Sequence, residues 1–126
     1  MPEIKLFKLN RNAVFRELKE YAKKNIEKGA LAVILVGSLA RGDYTAYSDA
    51  DIIIIVKDSK DRPIDRITKY LEPKASIDIE PRVYTLKEIQ AMIENETRII
   101  EEIAKNGILL AGDQELIKQI KQRYQK

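Results

Sequence analysis

Two short acidic motifs carry the chemistry this sequence can offer. Asp49-Ala50-Asp51 opens the apolar run IIIIV at 52–56 and follows Gly37-Ser38 after ten intervening residues. Positions i and i+2 of a strand point to the same side, so both carboxylates face one way. Adjacent anions repel unless something positive stands between them. A capped turn or an ion pair with Arg41 would account for them, and so would a bound cation. A third acidic position is the informative one. SIDIEPRVY at 76–84 supplies two, Asp78 and Glu80, on one face of an alternating strand. Carboxylates suit hard cations such as Mg²⁺. Two such ions about 3.5–4 Å apart can clamp the attacking and leaving oxygens of a phosphoryl or nucleotidyl transfer.

Gly37 directly follows the apolar run LAVILV. A glycine there permits a sharp turn and close approach of a ligand. If Ser38 is the N-cap of a short helix, exposed amides lie beside its hydroxyl, an arrangement that suits phosphate. Arg41, one turn on, adds a positive charge. The same residues also make an ordinary capped turn. Tyr44 and Tyr47 fall in the loop between the half-motifs, either as pocket lining or as surface residues. The chain has no His and no Cys, which removes imidazole mechanisms, thiolate zinc sites and disulfides.

The elements that must position these residues can be read from periodicity. Residues 12–28 carry Val14, Leu18, Tyr21, Ala22 and Ile26 on one helical face, with Gly29 as the stop. Residues 31–36 and 50–57 are apolar strands; the second is apolar on both faces beyond its aspartates and should be central. Pro63 opens a short helix with Ile64, Ile67 and Leu71 inward. Pro81 lacks an amide donor, so its strand has a bulge or an open edge there. Thr85-Leu-Lys-Glu88 is a capping box opening one helix to about Lys105, with Ile89, Ile93, Ile100 and Ile103 as its inner stripe. Residues 108–111 form a short strand. Asp113 caps a last helix with Leu116, Ile117, Ile120 and Tyr124 inward. This order implies a single α/β domain over residues 1–126, a mixed β-sheet flanked by helices.

The Gly37-Ser38, ten-residue, Asp49-Ala50-Asp51 pattern resembles the signature of the DNA polymerase β-type nucleotidyltransferase superfamily, in its minimal, stand-alone prokaryotic form. VYTLKEI at 83–89 and NGILLAG at 106–112 extend the likeness. The resemblance implies a palm-like nucleotidyltransferase fold. It implies that Gly37, Ser38 and Arg41 hold the triphosphate of a nucleotide, ATP by preference. Asp49 and Asp51 would ligate two Mg²⁺ ions. Asp78 has the usual identity of the third carboxylate, and Glu80 has the better spacing to Val-Tyr-Thr. Small members of this family are commonly paired with a helical HEPN-type protein, as antitoxin to its ribonuclease toxin. Some transfer AMP to a tyrosine of that partner. A homo-oligomer is the other assembly the small size suggests.

The alternative is a non-catalytic module that neutralises or scaffolds a helical partner by contact, for which the amphipathic C-terminal helix is the support. A net charge of +3 is small for a nucleic-acid binder. No segment has the length of a membrane span or the pattern of a signal peptide, so a cytoplasmic location is expected. Abundant Ile, Lys and Glu suggest a thermophilic source.

Overall fold

The computed structural model describes residues 11–44 and 48–124. Its elements run α1 (Arg11–Glu27), β1 (Ala30–Val36), α2 (Gly37–Arg41), β2 (Ala50–Val56), α3 (Pro63–Ile67) with a 3-10 turn (Thr68–Tyr70), β3 (Ile79–Thr85), α4 (Leu86–Glu94), α5 (Arg98–Asn106), β4 (Ile108–Gly112) and α6 (Gln114–Tyr124). The four strands form one mixed sheet in the order β3-β2-β1-β4. β1 runs antiparallel to both β2 and β4, and β2 runs parallel to β3.

The two central strands follow from their side chains. Ile52, Ile53, Ile54 and Ile55 are all fully buried, because both faces of β2 are covered. Ile52 and Ile54 pack with Val33 and Leu35 of β1 against Val14, Leu18, Tyr21 and Ala22 of α1. Ile53 and Ile55 pack with Ile34 on the other face, against Ile89 of α4, Ile100 and Ile103 of α5, and Leu116, Ile117 and Ile120 of α6. Each buried Ile contributes about 1.5–3 kcal/mol relative to exposure. The Tyr21 phenol donates to the carbonyl of Tyr70 at 2.5 Å, tying α1 to the 3-10 turn. Burial pushes that phenol's pKa up to about 12.

Two local expectations are revised. The helix expected to run unbroken from 86 to 105 is two helices. It stops at Asn95, Glu96 takes a left-handed φ of 49°, and Thr97 starts α5. Asn and Thr are weak helix formers, and Asn tolerates a break. The stripe expected on the 63–71 segment also differs, since Ile64 and Leu71 are exposed and Arg66 is buried instead. Arg66 pairs with Glu88 through two hydrogen bonds, at 2.6 and 3.3 Å, and donates to the carbonyls of Asp61 and Val83. Glu88 is also the reciprocal half of the capping box with Thr85, so one carboxylate locks α3 to the β3–α4 junction. Of the two arrangements expected at Pro81, a bulge or an open edge, the structure has the open edge: β3 is a sheet edge, and its pairing with β2 is regular through Pro81. The Ala50 amide donates to the carbonyl of Asp78. In a parallel ladder alternate residues face the neighbouring strand, which turns the backbone of Pro81 and Val83 to the open side, where Arg66 takes the Val83 carbonyl. The expected cap at Asp113 is present: its side chain accepts from the Glu115 amide at 2.9 Å. Tyr47 and the Tyr124 side chain lie outside the described residues.

The hydrogen bond from Arg66, ahead of the contacts at Thr85, lowers the pKa of Glu88. A carboxylate with a lowered pKa stabilises the fold above its unfolded value, roughly 4.3, and that contribution disappears as pH falls through the folded value. Arg66→Ala is expected to cost about 1–3 kcal/mol, less than a fully buried pair because Glu88 is partly exposed. Urea titrations from pH 3 to 7 should show the loss at pH 7 and a flatter acid limb in the variant.

Candidate active site

The parallel register sets Asp51 of β2 opposite Glu80 of β3, and Val36 at the end of β1 opposite Asp51 on the other side. Asp51 shares its face with Ile53 and Ile55, so its carboxylate lies on the side of the sheet covered by α5. Asp49 precedes β2 by one residue, and Glu80 lies close enough to feel the charges of both Asp49 and Asp51. The charge of Asp49 chiefly, then desolvation and the charge of Asp51, raise the pKa of Glu80; Arg82 opposes this. Asp49, Asp51 and Glu80 thus converge at one end of the sheet. Asp78 lies just before β3 and is exposed. The contact made there to β2 comes from its backbone carbonyl.

Gly37 sits directly behind this cluster. It has φ of +80°, and a Cβ at this position would collide with the Asp51 carboxylate. The glycine is therefore needed twice, for its backbone conformation and for the space it leaves. Ser38 is not the N-cap of α2. Val36 holds that position, and Ser38 is the second helical residue. Its hydroxyl donates to Ser48 Oγ at 3.1 Å, joining the two half-motifs. Arg41 donates from Nε to Asp43 at 3.2 Å and from Nη1 to Glu102 at 2.8 Å. The Asp43 contact first, and Glu102 after it, raise the pKa of the guanidinium, which stays charged. Tyr44 packs partly buried against the α1 side of the core.

An open cleft of about 630 Å³ joins these parts. Gly37, Ser38, Arg41 and Asp51 form one wall, and Arg82, Thr97, Arg98 and Glu102 lie around the rest. The second group is not identified by motif. Arg82 sits two residues beyond Glu80, and its alternation onto the acidic face was the available signal. Thr97, Arg98 and Glu102 reach the cleft because the helix breaks at Glu96. In sequence Glu102 is one of many helical acids.

Among the described residues no group of three or more acidic side chains is arranged as a ready metal cage. The donor chemistry nevertheless fits a hard divalent cation. The ligands on offer are carboxylate oxygens, and the repulsion that raises Glu80's pKa is what such a cation would relieve.

The profile of the nucleotidyltransferase domain family matches residues 15–125. The chain belongs to this family. Two relatives in Methanocaldococcus jannaschii are provisionally named protein adenylyltransferases. One is 32% identical over 93 residues, covering 65% of this chain and 63% of its own length. The other is 31% identical over 101 residues, covering 75% and 93%. The chain thus spans less than two thirds of the first relative. Three solved structures share the nucleotidyltransferase fold. A chain of a toxin–antitoxin complex with AMP-PNP aligns with a TM-score of 0.59 at 15% identity, covering 85% of this chain and 84% of that one. A provisionally assigned nucleotidyltransferase of Sulfolobus solfataricus aligns at 0.55 and 20%, covering 79% and 81%. A chain from the complex of a tri-AMPylated Shewanella oneidensis HEPN toxin with an MNT antitoxin aligns at 0.54 and 16%, covering 91% and 84%. No helix among the described residues of this family member is long and apolar enough to cross a membrane.

Two outcomes follow for the family member's site. Gly37→Ala should lower stability by about 1–3 kcal/mol through backbone strain and contact with Asp51, read as a lower denaturation midpoint. Glu80, whose folded pKa is raised, supports the fold below its unfolded value and loses that support as pH rises through the folded value. Glu80→Gln removes the repulsion, so at pH 7 in chelator it should melt higher than the wild type, whereas at pH 4 the gap should narrow.

Proposed function

We propose that this domain transfers a nucleoside monophosphate, AMP from ATP, to a hydroxyl acceptor, and that the acceptor is a tyrosine of a HEPN-type partner for which the chain acts as antitoxin. The observation that carries the reading is the convergence of Asp49, Asp51 and Glu80 at one end of the sheet, with Asp51 on the wall of the cleft that holds Gly37, Ser38 and Arg41. The protein-adenylyltransferase relatives and the fold shared with toxin–antitoxin chains support the choice of nucleotide and partner.

In this reading the acceptor oxygen bonds to the α-phosphorus, the bond from that phosphorus to the bridging oxygen of the β-phosphate breaks, and pyrophosphate leaves. The Gly37 amide, the Ser38 hydroxyl and the Arg41 guanidinium hold the phosphates and draw charge off the leaving group. Asp49 and Asp51, with Glu80 or Asp78 as third carboxylate, would hold Mg²⁺, which when bound supplies positive charge beside the reacting oxygens. Glu80 is the better third group, because its carboxyl lies near Asp49 and Asp51 whereas Asp78 precedes the strand. The third carboxylate would also accept the proton of the attacking hydroxyl. The chain's cytoplasmic location belongs to the same proposal.

The test uses ATP labelled at the α-phosphate, Mg²⁺ and the protein co-purified with its native partner. Label should appear on a tyrosine of the partner. Asp49→Asn and Asp51→Asn should each reduce it by about 10²-fold or more with unfolding curves close to the wild type. Full transfer by both variants would sink the assignment. Partner binding without label in any condition would favour the non-catalytic module.

A further inference from the structure

We propose that Glu102 is an internal competitor for the phosphate side of the cleft and sets how tightly the domain holds a polyphosphate. The inference rests on the reading of Gly37, Ser38 and Arg41 as phosphate-binding. A single oxygen of Glu102, Oε1, accepts from the Gly37 amide at 3.0 Å and from Arg41 Nη1 at 2.8 Å. A backbone amide and a guanidinium converging on one anionic oxygen is how proteins bind phosphate. Here a carboxylate of the protein holds both donors.

The contact can be broken. The Glu102 side chain is 28% exposed and the Arg41 side chain 40%, so their attraction is screened by water. A polyphosphate carries more charge and more acceptor oxygens than one carboxylate. The displaced group also has somewhere to go. Arg98 lies four residues earlier on α5, hence on the same helical face, and lines the same cleft. It makes no ion pair or hydrogen bond among the described residues. Glu102 therefore has two arrangements: on Gly37 and Arg41 before phosphate binds, and turned toward Arg98 once it has. The fraction of chains in the first arrangement lowers the apparent affinity.

Calorimetry with inorganic tripolyphosphate at fixed Mg²⁺ separates the possibilities. Glu102→Gln should bind it roughly three- to ten-fold tighter than the wild type, and the KM for ATP should fall by a comparable factor. Equal or weaker binding by the variant overturns the proposal, since Glu102 would then be holding Arg41 in place for the ligand. If neither protein binds tripolyphosphate, the phosphate-binding reading itself fails along with it. Should the variant not fold, the wild type gives the answer by NMR. The Gly37 amide and the Glu102 carboxyl resonances should shift together as tripolyphosphate is added, and a Gly37 shift with Glu102 unmoved overturns the proposal.

Discussion

The parallel pairing of β2 with β3 is the constraint on which the site depends. It places Asp51 level with Glu80 and brings Glu80 up to Asp49. Parallel strands need a long crossover connection. The crossover here contains α3 and the 3-10 turn, and it is held by the buried Arg66 and by Tyr21. Side chains remote from the chemistry therefore fix the separation of the carboxylates. The repulsion those carboxylates generate is offset by the apolar burial of β1 and β2, whose isoleucines are covered on both faces.

Much of this was legible because it is local. The two apolar runs, the i, i+2 aspartates and the Thr85–Glu88 capping box each depend on residues within one element. The clustering of Asp51 with Glu80 was legible only as a shared face. Its depth along the strand depends on a register that no local pattern specifies, and for that reason Asp78 and Glu80 stood equal in the sequence. The inward turn of Arg66 was hidden for the same reason: its partner is 22 residues away. Periodicity favoured Ile64 and Leu71 for the interior, and the ion pair with Glu88 overrode it. The Ser38 side chain is equally instructive. Gly-Ser after a strand suggests a cap, but Gly37 already adopts the turn, and the hydroxyl is left to bridge to Ser48.

The break between α4 and α5 reorganises the site more than its three residues suggest. A continuous helix would carry residues 97–102 along the axis of α4. With Glu96 in a left-handed conformation, α5 starts in a new direction and its first turns border the cleft. The same helix buries Ile100 and Ile103 in the core, so the charged side chains opposite the Gly37 wall are held by a packed element rather than by a loop. The cleft thus has a cationic and acidic lining, Arg82, Arg98 and Glu102, contributed by a strand and a packed helix.

The outer margin of β3 has a consequence for how the molecule behaves in a crowded solution. An exposed sheet edge is a template on which another polypeptide can add a strand, and growth from such edges leads to aggregates. Here the third residue of the strand is Pro81, which has no hydrogen to offer, and the next outward carbonyl, that of Val83, is already taken by Arg66. A visiting strand would find one donor missing and one acceptor already engaged. The residues that close the crossover thereby also make this border a poorer template for an added strand.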